Sequence, residues 1–326
     1  MEYTRLGNSG LKVSRITLGG MSIGEPGTMW GWSLGEDAAQ PLLRRAVELG
    51  ITFWDTANAY AYGSSEQILG RAVKKYTTRE KIVLATKLYW PMHDGPGGSG
   101  LSRKAIFEQT DASLAQLGTD YIDLLQIHRF DPEVPVEETM QALHDVVTSG
   151  RVRYIGASSM YAWQFAKLQT AAQLNGWTRF ISMQDQYNLA QREEEREMFG
   201  LLADQGVASM PWSPLAAGLL ARPWGQAGTT RSQENFTVDQ HGRPIFLDSD
   251  KAIVDAVEQI AKQRGVAMAS VALAWVLRNP VVSTVIAGAT KDTHLTDAVA
   301  ALDITLTDDE VNALESPYTP REPTYF

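Results

Sequence analysis

The 326-residue chain contains no cysteine. This excludes disulfides, thiol nucleophiles and zinc sites built on thiolate, and it is compatible with a reducing, cytoplasmic home. No apolar run approaches the roughly 20 residues needed to span a bilayer. The amino-terminal Met1-Glu2-Tyr3-Thr4-Arg5 lacks an apolar signal core, so no leader is expected. A Rossmann dinucleotide site is not indicated. Positive charge is in short supply: 29 basic residues face 38 acidic ones, a net charge of −9. That balance argues against nucleic-acid and anionic-membrane partners. A phosphate-bearing ligand would need a local cluster of basic groups working against the global field.

What is present is an alternation. Hydrophobic residues make up 44% of the chain, ample for a large core. Tyr3-Thr4-Arg5-Leu6 and Leu11-Lys12-Val13 flank Asn8-Ser9-Gly10, which reads as a hairpin. Strands are expected at residues 16–20, 52–57, 82–87, 121–128, 153–158, 181–184, 207–212 and 284–287. Helical spacing follows each of them. It falls at Leu42, Leu43, Ala46, Val47 and Leu49 before Gly50, over 65–75 and 102–117, and at Val136, Met140, Leu143 and Val147 before Gly150. Further helices are expected over 162–174, 193–204, 252–263, 268–277 and 293–301. Eight strand–helix alternations with no break in composition indicate one (β/α)8 TIM barrel, a single domain over residues 1–326. Residues 218–248 form a long loop after strand seven, expected to act as a lid. The tail from Leu314 to Phe326, with Pro317, Pro320 and Pro323, is expected to be irregular.

Three strands end in residues that can do chemistry: Phe53-Trp54-Asp55, Ile82 to Lys87, and Asp123 to His128. A barrel places its active site at the carboxyl ends of its strands and on the loops that follow. Just beyond Asp55 the loop carries Tyr60, Tyr62 and Gly63, then Ser64, Ser65 and Glu66 open a helix.

Asp55-Thr56-Ala57 with Tyr60, Gly63, Ser65-Glu66 and Leu69-Gly70, followed by Lys87 and His128, resembles the aldo-keto reductase superfamily. Within it the chain resembles bacterial single-chain members related to the potassium-channel β subunits. The likeness runs from Leu6-Gly7-Asn8-Ser9-Gly10 to Gly288-Ala289-Thr290-Lys291. It implies that the hairpin plugs the bottom of the barrel and that the chain reduces small-molecule aldehydes or ketones with NADPH. Reduction needs a hydride donor and a proton for the developing oxyanion. A phenol titrates at about 10, and a buried ammonium beside it favours loss of the proton. The resemblance makes Tyr60, five residues after Asp55, the acid, Lys87 its activator, Asp55 the partner of Lys87, and His128 the group that orients the carbonyl. Tyr62-Gly63 competes with Tyr60 for that role.

The resemblance further implies a cofactor across the barrel mouth. Gly20 and Met21 would approach it. Ser158 and Gln184 would bind the nicotinamide amide, with Trp212 stacked on the ring. Ser159 stands where many relatives have Asn. Ser213, Leu215, Gly218 and Arg222 fit the pyrophosphate loop. Gly288, Thr290 and Lys291 would meet the 2′-phosphate, with Arg231 closing over it, and His294 and Asp297 would meet the adenine. Trp30, Trp32, Trp90 and His128 would wall the substrate pocket, with Tyr89, Phe130 and Met160 nearby. No metal site is expected, and the oligomeric state stays open. Two other readings remain. One is a cofactor-sensing regulatory subunit like the channel β proteins. The other is a metal-dependent hydrolase using Asp55 and His128, which lacks further strand-end ligands.

Overall fold

Parallel strands buried on both faces need helices outside and side chains inside, and the barrel supplies both. The structure, a computed structural model, describes residues 1–226 and 243–323. A two-stranded hairpin, β1 (Tyr3–Arg5) and β2 (Lys12–Ser14), pairs Thr4 with Val13. Eight parallel strands follow: β3 (Ile16–Gly19), β4 (Phe53–Asp55), β5 (Val83–Leu88), β6 (Ile122–Ile127), β7 (Val152–Ser158), β8 (Ser182–Gln184), β9 (Ala208–Ser209) and β10 (Val285–Gly288). They lie in the order β10-β3-β4-β5-β6-β7-β8-β9. The circle closes where Ser209 bridges Val282 and the Ile286 amide donates to the Pro211 carbonyl at 2.9 Å.

The inside of the barrel is filled by Phe53, Ala85, Leu124, Ala208, Met210 and Ile286, together with Leu6 and Val13 from the hairpin. The hairpin therefore plugs the bottom of the barrel. Its turn depends on Gly7, at φ 57°, where a Cβ would lie 2.6 Å from the Gly206 carbonyl oxygen. The larger core lies between strands and helices. Helices α1 (Glu36–Glu48), α2 (Ser64–Tyr76), α3 (Arg103–Leu117), α4 (Val136–Thr148), α5 (Ala162–Asn175) and α6 (Met198–Gln205) each follow a strand. After β9 come α7 (Asp250–Arg264) and α8 (Met268–Leu277), and after β10 come α9 (Asp292–Ala300) and α10 (Asp308–Glu315). Among the described residues no single helix is long and apolar enough to cross a membrane.

Two differences from expectation have physical causes. The helix expected over 193–204 is a 3₁₀ turn, Glu193–Glu195, and then α6. Glu194 is buried and Glu193 is tied to the tail, so that turn serves tertiary contacts. The strand expected over 207–212 shortens to β9, because Pro211 has no N–H to give to a ladder. Beyond α10 the described tail, to residue 323, has no helix or strand, as expected, and it is held by side-chain contacts. Helix α10 begins with a capping box between Thr307 and Glu310, Leu314 is buried, and the Tyr318 hydroxyl donates to Glu193 Oε1 at 2.6 Å. Of the long loop after β9, residues 227–242 lie outside the described part, and the lid reading falls on them. The part before them holds a 3₁₀ segment, Ala216–Ala221.

Candidate active site

Strand β4 ends in Asp55, which pairs with Ala85 on β5, and Lys87 lies two residues further along that strand, so its ammonium reaches back to the carboxylate inside the wall. Lys87 Nζ donates to Asp55 Oδ2 at 2.6 Å, to the Thr56 carbonyl at 2.8 Å and to the Tyr60 hydroxyl at 3.3 Å. Lys87 is wholly buried. Burial opposes its charge, but the Asp55 carboxylate and the Tyr60 hydroxyl more than offset this and raise its pKa. The other carboxylate oxygen, Asp55 Oδ1, accepts from Gln126 Nε2 at 2.9 Å and from Gln184 Nε2 at 3.0 Å. The carboxylate is thus held on both sides.

Tyr60 sits on a strained turn in which Ala61 and Tyr62 have φ of 46° and 51°. That turn sends the two tyrosines different ways. Tyr60 reaches the ammonium, whereas Tyr62 is 61% exposed at the rim. His128 lies edge-on to Tyr60, with ring centroids 5.8 Å apart. Burial first, then the charges of Lys87 and Arg129, hold its pKa well below the usual imidazole value, so the ring is neutral at pH 7.

Above these groups opens a cavity of about 1330 Å³. One side is aromatic. Trp30 and Trp32 stack at 5.2 Å, Trp30 approaches Tyr60 at 6.4 Å, and Trp90 lies edge-on to His128 at 6.1 Å. All four of Trp30, Trp32, Trp90 and His128 line it. Tyr89, Phe130 and Met160 are not in its wall. Phe130 packs instead on Trp163, and Tyr89 on Trp90.

Two kinds of comparison bear on this site. The aldo/keto reductase family model matches residues 15–318. The chain belongs to the aldo/keto reductase family. It is 47% identical to a versiconal hemiacetal acetate reductase of Aspergillus parasiticus, over 98% of each chain. It is 46% identical to an aldo-keto reductase of Alternaria alternata, over 98% of this chain and 92% of that one. It is also 43% identical to a putative aryl-alcohol dehydrogenase of Schizosaccharomyces pombe, over 98% of this chain and 96% of that one. These relatives are fungal reductases and dehydrogenases, not the bacterial channel-related proteins that the sequence suggested.

The aldo/keto reductase family generally uses a nicotinamide cofactor, and the far side of the cavity carries groups that could hold one. Gly20, Met21, Ser158, Gln184, Trp212, Ser213, Leu215, Gly218, Arg222, Gly288, Thr290, His294 and Asp297 all line it. The chemistry of this set suits a dinucleotide: amide and hydroxyl groups at one end, small residues on a left-handed turn in the middle, and an arginine with a helix start at the other. In that turn Ser213, Ala216, Ala217 and Gly218 all have positive φ. The Gly218 carbonyl accepts from Arg222 Nε at 3.0 Å, which sets the guanidinium against the wall. Gly20 is fixed by close approach, since a Cβ there would lie 2.9 Å from the Asp55 carbonyl oxygen.

Several residues of the expected set have protein partners of their own. The Ser158 hydroxyl donates to the Gln184 main-chain carbonyl at 2.8 Å, and the Gln184 amide nitrogen is spent on Asp55. Ser159 is buried outside the cavity wall and accepts from Trp212 Nε1 at 3.1 Å, so it orients the indole. Lys291 is exposed at the N-cap of α9 and does not line the cavity. His294 Nδ1 accepts from the Thr290 amide at 3.3 Å. Burial and then Lys291 lower the His294 pKa, against the opposing charge of Asp297. Arg231 lies outside the described residues. The glycine spacing of a dinucleotide fingerprint does occur, at Gly95, Gly97 and Gly100. It falls inside the long loop between β5 and α3, where the Met92 amide donates to the Gly98 carbonyl at 2.9 Å, and not in a tight turn directly after the strand.

Sequence reasoning missed Gln126, whose apolar strand context hides it, and Arg321, which lines the cavity from the tail while paired with the buried Asp250.

Proposed function

We propose that the chain is an NADPH-dependent carbonyl reductase that turns aldehydes and ketones into alcohols, with Tyr60 as the proton donor. The observation that carries this reading is the 3.3 Å contact between Lys87 Nζ and the Tyr60 hydroxyl, backed by the 2.6 Å ion pair of Lys87 with Asp55. An ammonium held in place there favours loss of the phenolic proton. His128, neutral at pH 7, can donate a hydrogen bond to the carbonyl oxygen and align it with Tyr60. When bound, the cofactor supplies the hydride. Trp212, Ser213, Gly218 and Arg222 would hold it, with Thr290, His294 and Asp297 at the adenosine end.

The substrate class follows from the wall. Trp30, Trp32 and Trp90 frame a slot beside Tyr60, suited to a flat aromatic group next to the carbonyl. A relative named an aryl-alcohol dehydrogenase agrees with that choice. We place the enzyme in the cytoplasm, as the absence of cysteine suggested. The test is NADPH consumption over matched aromatic and aliphatic aldehydes. Aromatic aldehydes should give the higher kcat/KM. A protein that binds NADPH but reduces no carbonyl would instead favour the sensing role.

A further inference from the structure

On the helix side of β5, behind Lys87, lies a carboxyl that the proposed chemistry does not use. Glu66, in the first turn of α2, is 0% exposed. Thr86 precedes Lys87 on the strand, so its side chain faces away from the barrel interior. Its hydroxyl donates to Glu66 Oε1 at 2.6 Å, while Glu66 Oε2 and the Ser113 hydroxyl that bears on the carboxyl are both left without a well-formed hydrogen bond. Other buried polar atoms without partners gather there. Asn58 Oδ1 is on the loop between Asp55 and Tyr60, and Gln109 Nε2 and Gln116 Oε1 sit two turns apart on one face of α3. Asn58 Nδ2 donates to Gln109 Oε1 at 2.8 Å, and a Cβ on Gly63 would fall 1.6 Å from Gln116 Oε1. This polar stripe therefore backs the loop that carries Tyr60.

We propose that Glu66 is a positioning residue for proton transfer, its charge acting on Lys87 through the barrel wall and weakening Tyr60 as a donor whenever the carboxyl is ionised. The proposal rests on Tyr60 being the acid. Lys87 is the one charged side chain that bears on Glu66, after the hydroxyls of Thr86 and Ser113. From β5 comes Lys87, and beyond it on β4 is Asp55, already paired with Lys87. From the loop come Asn58 and Tyr60, and from α3 the uncharged Gln109, Ser113 and Gln116. Burial pushes the Glu66 carboxyl up to about 7, against the opposing pull of Thr86, Ser113 and Lys87. Its charge therefore changes within the range in which an enzyme works.

The test is kcat for one aromatic aldehyde at saturating NADPH from pH 5.5 to 9. In the unmodified protein kcat should fall by ~3–10-fold as the pH crosses neutrality. In Glu66→Gln that fall should be absent. A residue that only fills space would change kcat equally at every pH, and parallel profiles would overturn the proposal. Infrared pH-difference spectra read the carboxyl without turnover. A protonated-carboxyl band missing from Glu66→Gln should disappear with a midpoint near neutrality. Asp185 is also buried and pushed up to about 7, so only the band lost in the variant counts. If no carbonyl is reduced, the functional reading fails while the spectra still decide whether Glu66 titrates. Should Glu66→Gln not fold, Thr86→Val, which removes the hydroxyl bond, should move the midpoint up. An unmoved midpoint overturns the proposal.

Discussion

Gln184 Nε2 lies 3.0 Å from Asp55 Oδ1, so a residue that the resemblance assigns to the cofactor helps to hold the carboxylate that holds Lys87. Gln126 supplies the second amide, and its own Oε1 accepts from Gln184 at 3.1 Å. The site floor is thus one connected network, and its charges balance only as a set. Asp55→Asn leaves Lys87 as a buried ammonium without its carboxylate. Breaking a buried pair by removing one partner costs about 3–5 kcal/mol. Urea unfolding of Asp55→Asn should show a loss on that scale, with an unchanged m-value. A loss below about 1 kcal/mol would mean that the pair is not held as described.

Tyr60 and Tyr62 offer a cleaner contrast. Both are near the cavity, but only Tyr60 touches the ammonium. Tyr60→Phe removes one oxygen and should lower kcat by roughly 10²–10⁴-fold, the range for a lost general acid. NADPH affinity should hardly change. Tyr62→Phe should leave kcat within about twofold of the unmodified protein, since its 61% exposure marks it as a rim residue. Steady-state kinetics of the two variants side by side decide the assignment.

The difference between these tyrosines also shows what could be read from the chain. Asp55, Lys87 and His128 stand out in sequence because each interrupts an apolar strand at its carboxyl end. The barrel is legible for the same reason: period and punctuation repeat, and helix 268–277 matches to the residue. Tyr60 over Tyr62 was legible only through the family's spacing, and its physical cause was not, because two left-handed residues on a turn separate the two side chains and neither is glycine. Nor was the role of the tail. Arg321 reaches the cavity only because Tyr318 and the Arg321 amide both engage Glu193, 125 and 128 residues away. The setting of Lys291 was not legible either. Its place at a helix start was right, but its exposed side chain follows from a backbone geometry that no local pattern encodes.

Glu66 carries a stability prediction of definite sign. Its pKa is raised from 4.5 to about 7 by burial, so the folded state holds the proton more tightly than the unfolded chain does. The stabilisation is fully present below pH 4.5 and is lost as the pH rises through about 7. A shift of that size corresponds to on the order of 3 kcal/mol. Glu66→Gln cannot titrate, so its stability should fall less than that of the unmodified protein between pH 5 and pH 8. Denaturant midpoints at the two pH values give the comparison. Equal losses in both proteins would remove Glu66 from the balance.

Cofactor choice tests the far end of the cavity, where Arg222 and Lys291 stand in different surroundings. NADP differs from NAD by a 2′-phosphate, so discrimination must come from groups that meet that charge. Arg222 lines the cavity and is half-buried, whereas Lys291 stands exposed outside its wall. A charge-assisted hydrogen bond contributes about 1.5–3 kcal/mol, so Arg222→Ala should weaken NADPH binding by roughly 10–100-fold. An exposed ion pair contributes at most about 1 kcal/mol, so Lys291→Ala should weaken it by no more than about fivefold. Salt sharpens the contrast, because screening acts on the exposed group far more than on the half-buried one. Raising the salt should therefore erase the Lys291 effect and leave most of the Arg222 effect. Fluorescence titrations of NADPH and NADH at two ionic strengths measure all of these. If Arg222→Ala weakens NADH as much as NADPH, the arginine meets the pyrophosphate and the 2′-phosphate must be met elsewhere. If the unmodified protein prefers NADH, the choice of NADPH itself is wrong.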